Sequence, residues 1–137
     1  MSARRYKSNQ RGFTLLELMI VISIIAILVG MAAGAYRRSV MHAKEAKLRN
    51  DLFVMRQAID HFTLDKEAAP QSLEDLANPQ SQYIREIPVD PMTNAKDWHV
   101  DFGDTVLSPD QTNTGIVDVH SNSDKTSPLD GTPYSSW

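Results

Sequence analysis

The sequence contains no cysteine, and this absence excludes several classes of protein. Without thiols the chain has no disulfide, no cysteine-ligated zinc site and no cysteine nucleophile. It has 14 Lys and Arg against 17 Asp and Glu, and this acidic balance argues against a general nucleic-acid binder. Its 137 residues suffice for one small domain. The core of so small a domain is marginal, so we expect some support other than disulfides.

Charged residues are unevenly distributed, and their distribution divides the chain into a basic, an uncharged and an acidic part. The first twelve residues contain four bases and no acid, residues 18–36 contain no charge, and residues 97–137 contain seven acids and one base. The uncharged segment is about as long as a membrane-spanning helix, about 20 residues, and lacks the polar face of a buried core helix. Positive residues that flank a membrane helix stay in the cytoplasm. The four bases of residues 1–12 therefore predict that the C-terminal part of the chain lies outside the cytoplasm.

Two features of the apolar segment leave alternatives open. The small residues 32–35 would suit cleavage of an ordinary secretory signal, but the helical pattern continues past Tyr36 without a turn signal. Gly30 and Gly34 form a G-x-x-x-G pair. Such a pair allows either a close contact with another helix or a locally less stable helix, the latter because glycine has a low helix propensity.

The charged region after Arg37 predicts the second half of a long helix. Apolar residues recur at spacings of four and three residues along one face, at Leu48, Leu52, Met55, Ile59 and Phe62. We expect this face to pack on the C-terminal part rather than form a coiled coil, because two to three heptads are few. One helix from Thr14 to Asp65 is therefore predicted, and Pro70 closes the region.

The C-terminal part predicts a short helix and a small sheet. Ser72 and Asp75 have capping-box spacing, which indicates a short helix that Asn78-Pro79 ends. Apolar and polar residues alternate over 98–102, and residues 116–119 are rich in Val and Ile, so both segments are predicted strands. We expect the 103–115 link to be a long hairpin loop holding a few strand residues of its own.

The segment from Arg11 to Glu17, RGFTLLE, resembles the class III signal motif of type IV pilins and type II secretion pseudopilins. The resemblance implies that a prepilin peptidase cuts between Gly12 and Phe13 and N-methylates Phe13. The mature chain, 13–137, would then have 125 residues and a charge of −7, since four bases are removed from −3. In that family, Glu17 would face the N-terminal amine of the adjacent subunit in a filament.

Further segments resemble the major pseudopilin, the G subunit of type II secretion: QAID at 57–60, FTLD at 62–65, YIR at 83–85 and PVDP at 88–91. This resemblance implies an α+β, type IV pilin-like fold. A long N-terminal helix, membrane-spanning in its first half, would pack under a small head with a short antiparallel sheet and a C-terminal loop. The implied segments are a cleaved leader (1–12), a transmembrane and filament-core helix (13–36), an amphipathic half (37–66) and the head (67–137).

The resemblance also implies function, location and partners. The chain would polymerise into a helical type II secretion pseudopilus that supports export of folded proteins across the outer membrane. It would first lie in the bacterial inner membrane with its head in the periplasm. Its partners would be other copies of itself, the prepilin peptidase, the inner-membrane assembly machinery and minor pseudopilins. Two alternatives stay open: a type IV pilin for adhesion, motility or DNA uptake, and a membrane-anchored binding domain that does not polymerise.

The acidic C-terminal loop is a candidate calcium site. Composition alone favours a polar loop with Asx turns, and the spacing of an EF-hand is absent. Resemblance to the major pseudopilins implies Ca²⁺ held by Asp124 and Asp130 with the backbone of Ser121, and with Ser127 and Asp118 as further candidates. A metal ion that binds only the folded loop would supply the support that disulfides do not.

Candidate catalytic residues form no recognisable motif. The four histidines occur without an H-E-x-x-H pair, and the chain has no nucleophile elbow, P-loop or dinucleotide fingerprint. His99 and Asp101 share one face of a predicted strand, and Ser121 follows His120. Ser, His and Asp are common enough that this proximity predicts nothing, so we expect no enzyme activity.

Overall fold

The computed structural model describes residues 12–108 and 111–137, so residues 1–11 of the predicted leader lie outside the described range. The chain divides into two compact units, Met1–Val40 and Met41–Trp137, the second of which we call the globular unit. The elements in chain order are helix α1 (Leu15–Lys66), a 3₁₀ helix (Leu73–Ala77), strand β1 (His99–Ser108), strand β2 (Gln111–His120) and a 3₁₀ helix (Tyr134–Ser136). One long helix followed by a small antiparallel sheet confirms the predicted α+β, pilin-like fold class.

Helix α1 begins and ends within one residue of the predicted positions. The hydroxyl of Thr14 accepts a hydrogen bond from the N–H of Glu17 at 3.2 Å, as an N-cap residue does. At the other end Glu67 has a positive φ of 50°, the left-handed conformation that commonly ends helices. The 52-residue helix therefore has a side-chain cap at its start and a left-handed residue just after its end.

The first half of helix α1 presents its apolar side chains on all sides. Leu16, Ile20 and Ile24 are 68%, 52% and 52% exposed, and every residue from 15 to 39 is classed as exposed. An 18-residue window of the helix has a mean hydropathy of 2.7 and none of it is buried within the protein. By length and composition, this half is suited to crossing a membrane.

The core of the globular unit forms where the second half of helix α1 meets the head. Leu48, Leu52, Met55 and Ile59 are buried, as predicted for a core-facing stripe, and Phe62 is partly buried against them. Ala58 of the same helix also belongs to the core, and the head contributes Leu76, Ile84, Trp98, Ile116, Val119 and Tyr134. Packing on the head, and not pairing with another helix, therefore accounts for this stripe in the globular unit.

Strands β1 and β2 form a two-stranded antiparallel sheet in which His99 pairs with His120 and Gly103 with Gly115. Both strands continue through most of the predicted 103–115 link. Apart from Val106 and Leu107 that segment is polar, so its strand conformation comes from the main-chain hydrogen-bond ladder between neighbouring strands and not from an alternating apolar pattern. A bulge after Asp101 leaves the exposed Val117 as the extra residue.

The predicted short helix is present as the 3₁₀ helix Leu73–Ala77. The carboxylate of Asp75 accepts hydrogen bonds from the N–H of Ser72 at 2.9 Å and from that of Gln71 at 3.0 Å. These bonds satisfy amide groups at the start of the turn, as the capping-box spacing predicted.

Candidate functional site

The predicted processing point lies immediately before helix α1. Gly12 and Phe13 are exposed, Phe13 to 83%, and neither belongs to a helix or strand. The helix begins two residues after the Gly12–Phe13 bond, at Leu15. A cut at this bond would therefore leave the helix and the Thr14 cap intact.

Glu17 lies in the first turn of helix α1, among exposed apolar residues. Its main-chain N–H is held by Thr14, while the residue itself is exposed. A carboxylate in such a position is costly to place in hydrocarbon, by several kcal/mol on insertion scales, unless it meets a partner. The arrangement therefore leaves Glu17 available to a group outside this chain.

The serines of the predicted calcium loop are buried and act within the fold. The Ser121 hydroxyl donates to Asp90 at 2.5 Å, and the Ser127 hydroxyl donates to Glu45 at 2.7 Å. Ser127 also accepts from the N–H groups of Leu129 and Asp130, at 3.1 and 3.0 Å. The Ser127 hydroxyl is thus fully engaged. Its main-chain oxygen already accepts the N–H of Gly131 at 2.9 Å, so a metal ion there would have to use the second lone pair of that oxygen.

The three aspartates of the candidate site lie in different surroundings. Asp124 is exposed, and the Asp130 carboxylate contacts the guanidinium of Arg49. Asp118 accepts from Arg56 Nε at 2.6 Å. Although partial burial opposes it, the hydrogen bonds from Arg56 and from the Val119 N–H hold the pKa of Asp118 below its ordinary value. The Asp118 carboxylate therefore already has a permanent cation.

The donor set fits calcium in chemistry, with oxygen ligands only. Within residues 12–108 and 111–137, no group of three or more His, Asp or Glu side chains is placed to hold a metal ion. A calcium ion here would depend on the carboxylates of Asp124 and Asp130 together with main-chain carbonyls, such as that of Ser121. At Asp130, the ion would compete with Arg49.

The sequence analysis missed a buried carboxylate beside this region, that of Glu45. Glu45 is 3% exposed, and its Oε1 atom accepts from the hydroxyls of Ser127 and Tyr134, each at 2.7 Å. Burial, followed by the hydrogen bond to Glu45, raises the pKa of Tyr134 to about 12. The available signal was spacing: position 45 lies three residues before Leu48, in register with the apolar stripe.

Two imidazoles and two carboxylates of the sheet lie close together, and none of the described hydroxyl groups is hydrogen-bonded to either imidazole. His120 Nε2 lies 3.2 Å from Asp101 and 3.5 Å from Asp118, and His99 Nε2 lies 3.4 Å from Asp101. The neighbouring Ser121 donates its hydroxyl to Asp90 instead. The cluster holds the strands and the C-terminal segment together, since His120 Nδ1 is also 2.5 Å from the Trp137 main-chain oxygen.

Comparisons with known proteins bear on the N-terminal motif and on most of the length of the chain. The family model for the prokaryotic N-terminal methylation motif matches residues 7–33. The type II secretion system core protein G of Klebsiella pneumoniae is 33% identical over 127 residues, covering 82% of this chain and 84% of that protein. Its namesake from Klebsiella michiganensis is 32% identical over 130 residues, covering 85% and 84%.

A type IV pilus protein is similar over a shorter stretch. The type IV major fimbrial protein FimA of Dichelobacter nodosus is 40% identical over 63 residues, covering 46% of this chain and 40% of that protein. No solved structure matches the chain. Because the similarity to the core protein G relatives extends over most of both chains, whereas that to FimA covers less than half, the chain belongs to the type II secretion system core protein G family of pseudopilins.

Proposed function

We propose that this pseudopilin is a structural subunit that polymerises into a type II secretion pseudopilus and thereby supports export of folded proteins across the outer membrane. One observation carries the proposal. Every side chain in the first half of helix α1 is exposed, although this half is apolar and directly follows the processing motif. Exposing such an apolar surface to water is unfavourable, so it would be buried first in lipid and then against other copies of the chain.

Processing would come first. A prepilin peptidase would cut between Gly12 and Phe13 and N-methylate Phe13. The bond is accessible because both residues are exposed and precede the helix. The basic residues before the cut would keep this end cytoplasmic, so the head would lie in the periplasm while the chain is in the inner membrane.

Assembly would then use the amine that cleavage creates. Glu17 would face the N-terminal amine of Phe13 in the adjacent copy, so that each charge neutralises the other within the apolar filament core. Mispaired subunits would leave both charges uncompensated, and correct register is therefore favoured. The inner-membrane assembly machinery and minor pseudopilins would be the further partners. This role is structural and requires no catalysis by the chain.

Calcium is the proposed ligand of the C-terminal loop. Asp124 and Asp130 would supply carboxylates and Ser121 a main-chain carbonyl, with Ser127 contributing through its main chain and Asp118 remaining with Arg56. The support for this proposal is the all-oxygen donor set and the absence of any disulfide in a small head. Bound calcium would favour the folded loop by mass action.

A type IV pilin is the second candidate function, because the FimA similarity covers about half of this chain. Mass spectrometry of the mature chain isolated from membranes distinguishes a pseudopilin or a pilin, which a prepilin peptidase processes, from a membrane-anchored domain that does not polymerise. A first residue of N-methylated Phe13 is expected, and an unprocessed or differently cut chain would contradict the proposal. Loss of protein secretion without loss of surface pili, when the protein is removed from its host, would select the pseudopilus.

A further inference from the structure

Two carboxylates are buried deep in the globular unit, beside the C-terminal loop. Asp90 is 0% exposed and Glu45 is 3% exposed. Among the ion pairs of the described residues, neither carboxylate has a basic partner. A buried charge without a counter-ion is costly unless hydrogen bonds satisfy it. Each carboxylate accepts two hydrogen bonds from hydroxyl or amide donors. One donor to each is a serine hydroxyl of the C-terminal loop between residues 121 and 130.

Asp90 holds the start of the loop through Ser121. Its Oδ2 accepts the Ser121 hydroxyl at 2.5 Å, and its Oδ1 accepts the Met92 N–H at 2.7 Å. The Ser121 hydroxyl in turn accepts the N–H of Ser123 at 3.2 Å. The serine thus connects a buried carboxylate to the main chain that leads into Asp124.

Glu45 holds the end of the loop through Ser127 in the same way. It accepts the Ser127 hydroxyl, which itself accepts the N–H groups of Leu129 and Asp130. The Tyr134 hydroxyl adds a second donor to Glu45. The main chain of Asp130 is therefore fixed from the helix side of the fold, independently of any metal ion.

We propose that Asp90 and Glu45 are positioning residues for the calcium loop, each fixing one side of it through a serine hydroxyl. The inference depends on the proposed calcium site for its ligand, but the anchoring itself does not require the ion. A loop held before binding loses less conformational freedom when it closes on calcium. Removing such outer partners of metal ligands typically weakens binding by about 10–100-fold.

The test uses the full mature chain in detergent, with calcium chloride titrated by calorimetry well below the melting temperature. Glu45→Ala and Ser127→Ala are each expected to weaken calcium binding by about tenfold or more. Glu45→Gln keeps an acceptor oxygen and is expected to restore most of the affinity. The exposed Asp60 lies on the same helix, so Asp60→Ala is the matched control and should bind as the unaltered chain does.

Amide hydrogen exchange in EGTA separates the anchoring from the calcium site. Faster exchange at Leu129 and Asp130 in Glu45→Ala or Ser127→Ala is expected, with no change in Asp60→Ala. If the unaltered chain binds no calcium, the calcium proposal fails while the exchange result still decides the anchoring. Unchanged exchange in both variants overturns the anchoring, and faster exchange with unchanged calcium affinity overturns the positioning role. Should Glu45→Ala fail to fold, the smaller change Ser127→Ala decides both questions.

Discussion

Arg56 on helix α1 and Asp118 on strand β2 form an ion pair with 2.6 Å between Nε and Oδ1. The same guanidinium donates to the main-chain oxygens of Val119 at 3.0 Å and Trp137 at 2.9 Å. One side chain therefore joins the helix, the sheet and the C-terminal segment. Arginine suits this role because its donors point in several fixed directions.

Replacing Arg56 is expected to loosen this junction. Arg56→Ala should lower the free energy of unfolding by about 1.5–3 kcal/mol, because it removes charge-assisted hydrogen bonds to partly buried groups. Arg56→Lys should recover only part of this, since one ammonium cannot reproduce the three contacts. Urea unfolding of the mature chain in detergent measures both. The exposed Arg85 provides the control Arg85→Ala, and an equal loss in that variant would contradict the assignment.

Ionisation of Tyr134 is expected to destabilise the folded chain at alkaline pH. Its pKa is raised to about 12 in the folded chain from 10.0. A folded pKa above the unfolded value means that the contribution is complete below pH 10 and is lost as pH rises through 12. Between pH 10 and pH 12 the free energy of unfolding of the unaltered chain should fall by about 1 kcal/mol per pH unit relative to that of Tyr134→Phe. Urea unfolding at a series of pH values measures the difference, and parallel curves would contradict it.

Gly115 lies where the sheet meets the chain after helix α1. A Cβ at this position would be 2.6 Å from Ala69 Cβ and 2.8 Å from the Pro70 oxygen, while Ile116 N–H donates to that oxygen at 2.8 Å. Gly115→Ala should therefore destabilise the globular unit by about 1–3 kcal/mol, as overpacking does. Gly30→Ala is the matched control, because a Cβ there meets nothing within 4 Å. Equal melting temperatures for the two variants would refute the steric argument.

The parts of the fold that local pattern determines were predictable from sequence. Helix α1 was predicted within one residue at each end, because a long apolar run followed by an amphipathic stripe admits no other element. The strands were predicted too short. Their outer halves are mostly polar, so the apolar pattern did not reveal them, and main-chain pairing holds them extended.

The buried polar contacts could not be predicted, because their partners are distant in sequence. Glu45 is separated from Ser127 by 82 residues and from Tyr134 by 89. Glutamate is almost never fully buried without partners, so its residue type argued for exposure although position 45 is in register with the apolar stripe. Only the tertiary fold brings the two hydroxyls to it. The placement of Asp118 against Arg56, 62 residues away, has the same origin.

Removing calcium is expected to destabilise the mature chain. EDTA should lower its melting temperature and excess Ca²⁺ should restore it, because an ion bound only by the folded loop stabilises by mass action. At a calcium concentration of about 100 times Kd, the gain would be about 2.7 kcal/mol. Asp124→Asn should abolish the calcium-dependent shift, whereas Asp60→Asn should retain it. A melting temperature indifferent to EDTA in the unaltered chain would exclude a structural calcium site.

Changing Glu17 is expected to separate membrane insertion from assembly. Glu17→Leu and Glu17→Ala remove a charge that costs about 2.5–3.5 kcal/mol at the centre of a membrane helix, so insertion should be retained or improved. Filaments should be strongly reduced, because the N-terminal amine of each neighbouring copy would lose its partner in an apolar core. Membrane fractionation and electron microscopy of filaments measure the two outcomes. The control is Ser23→Ala, since the Ser23 hydroxyl is already bonded to the Met19 oxygen within the helix. Normal filaments from Glu17→Leu would show that this pairing does not drive assembly.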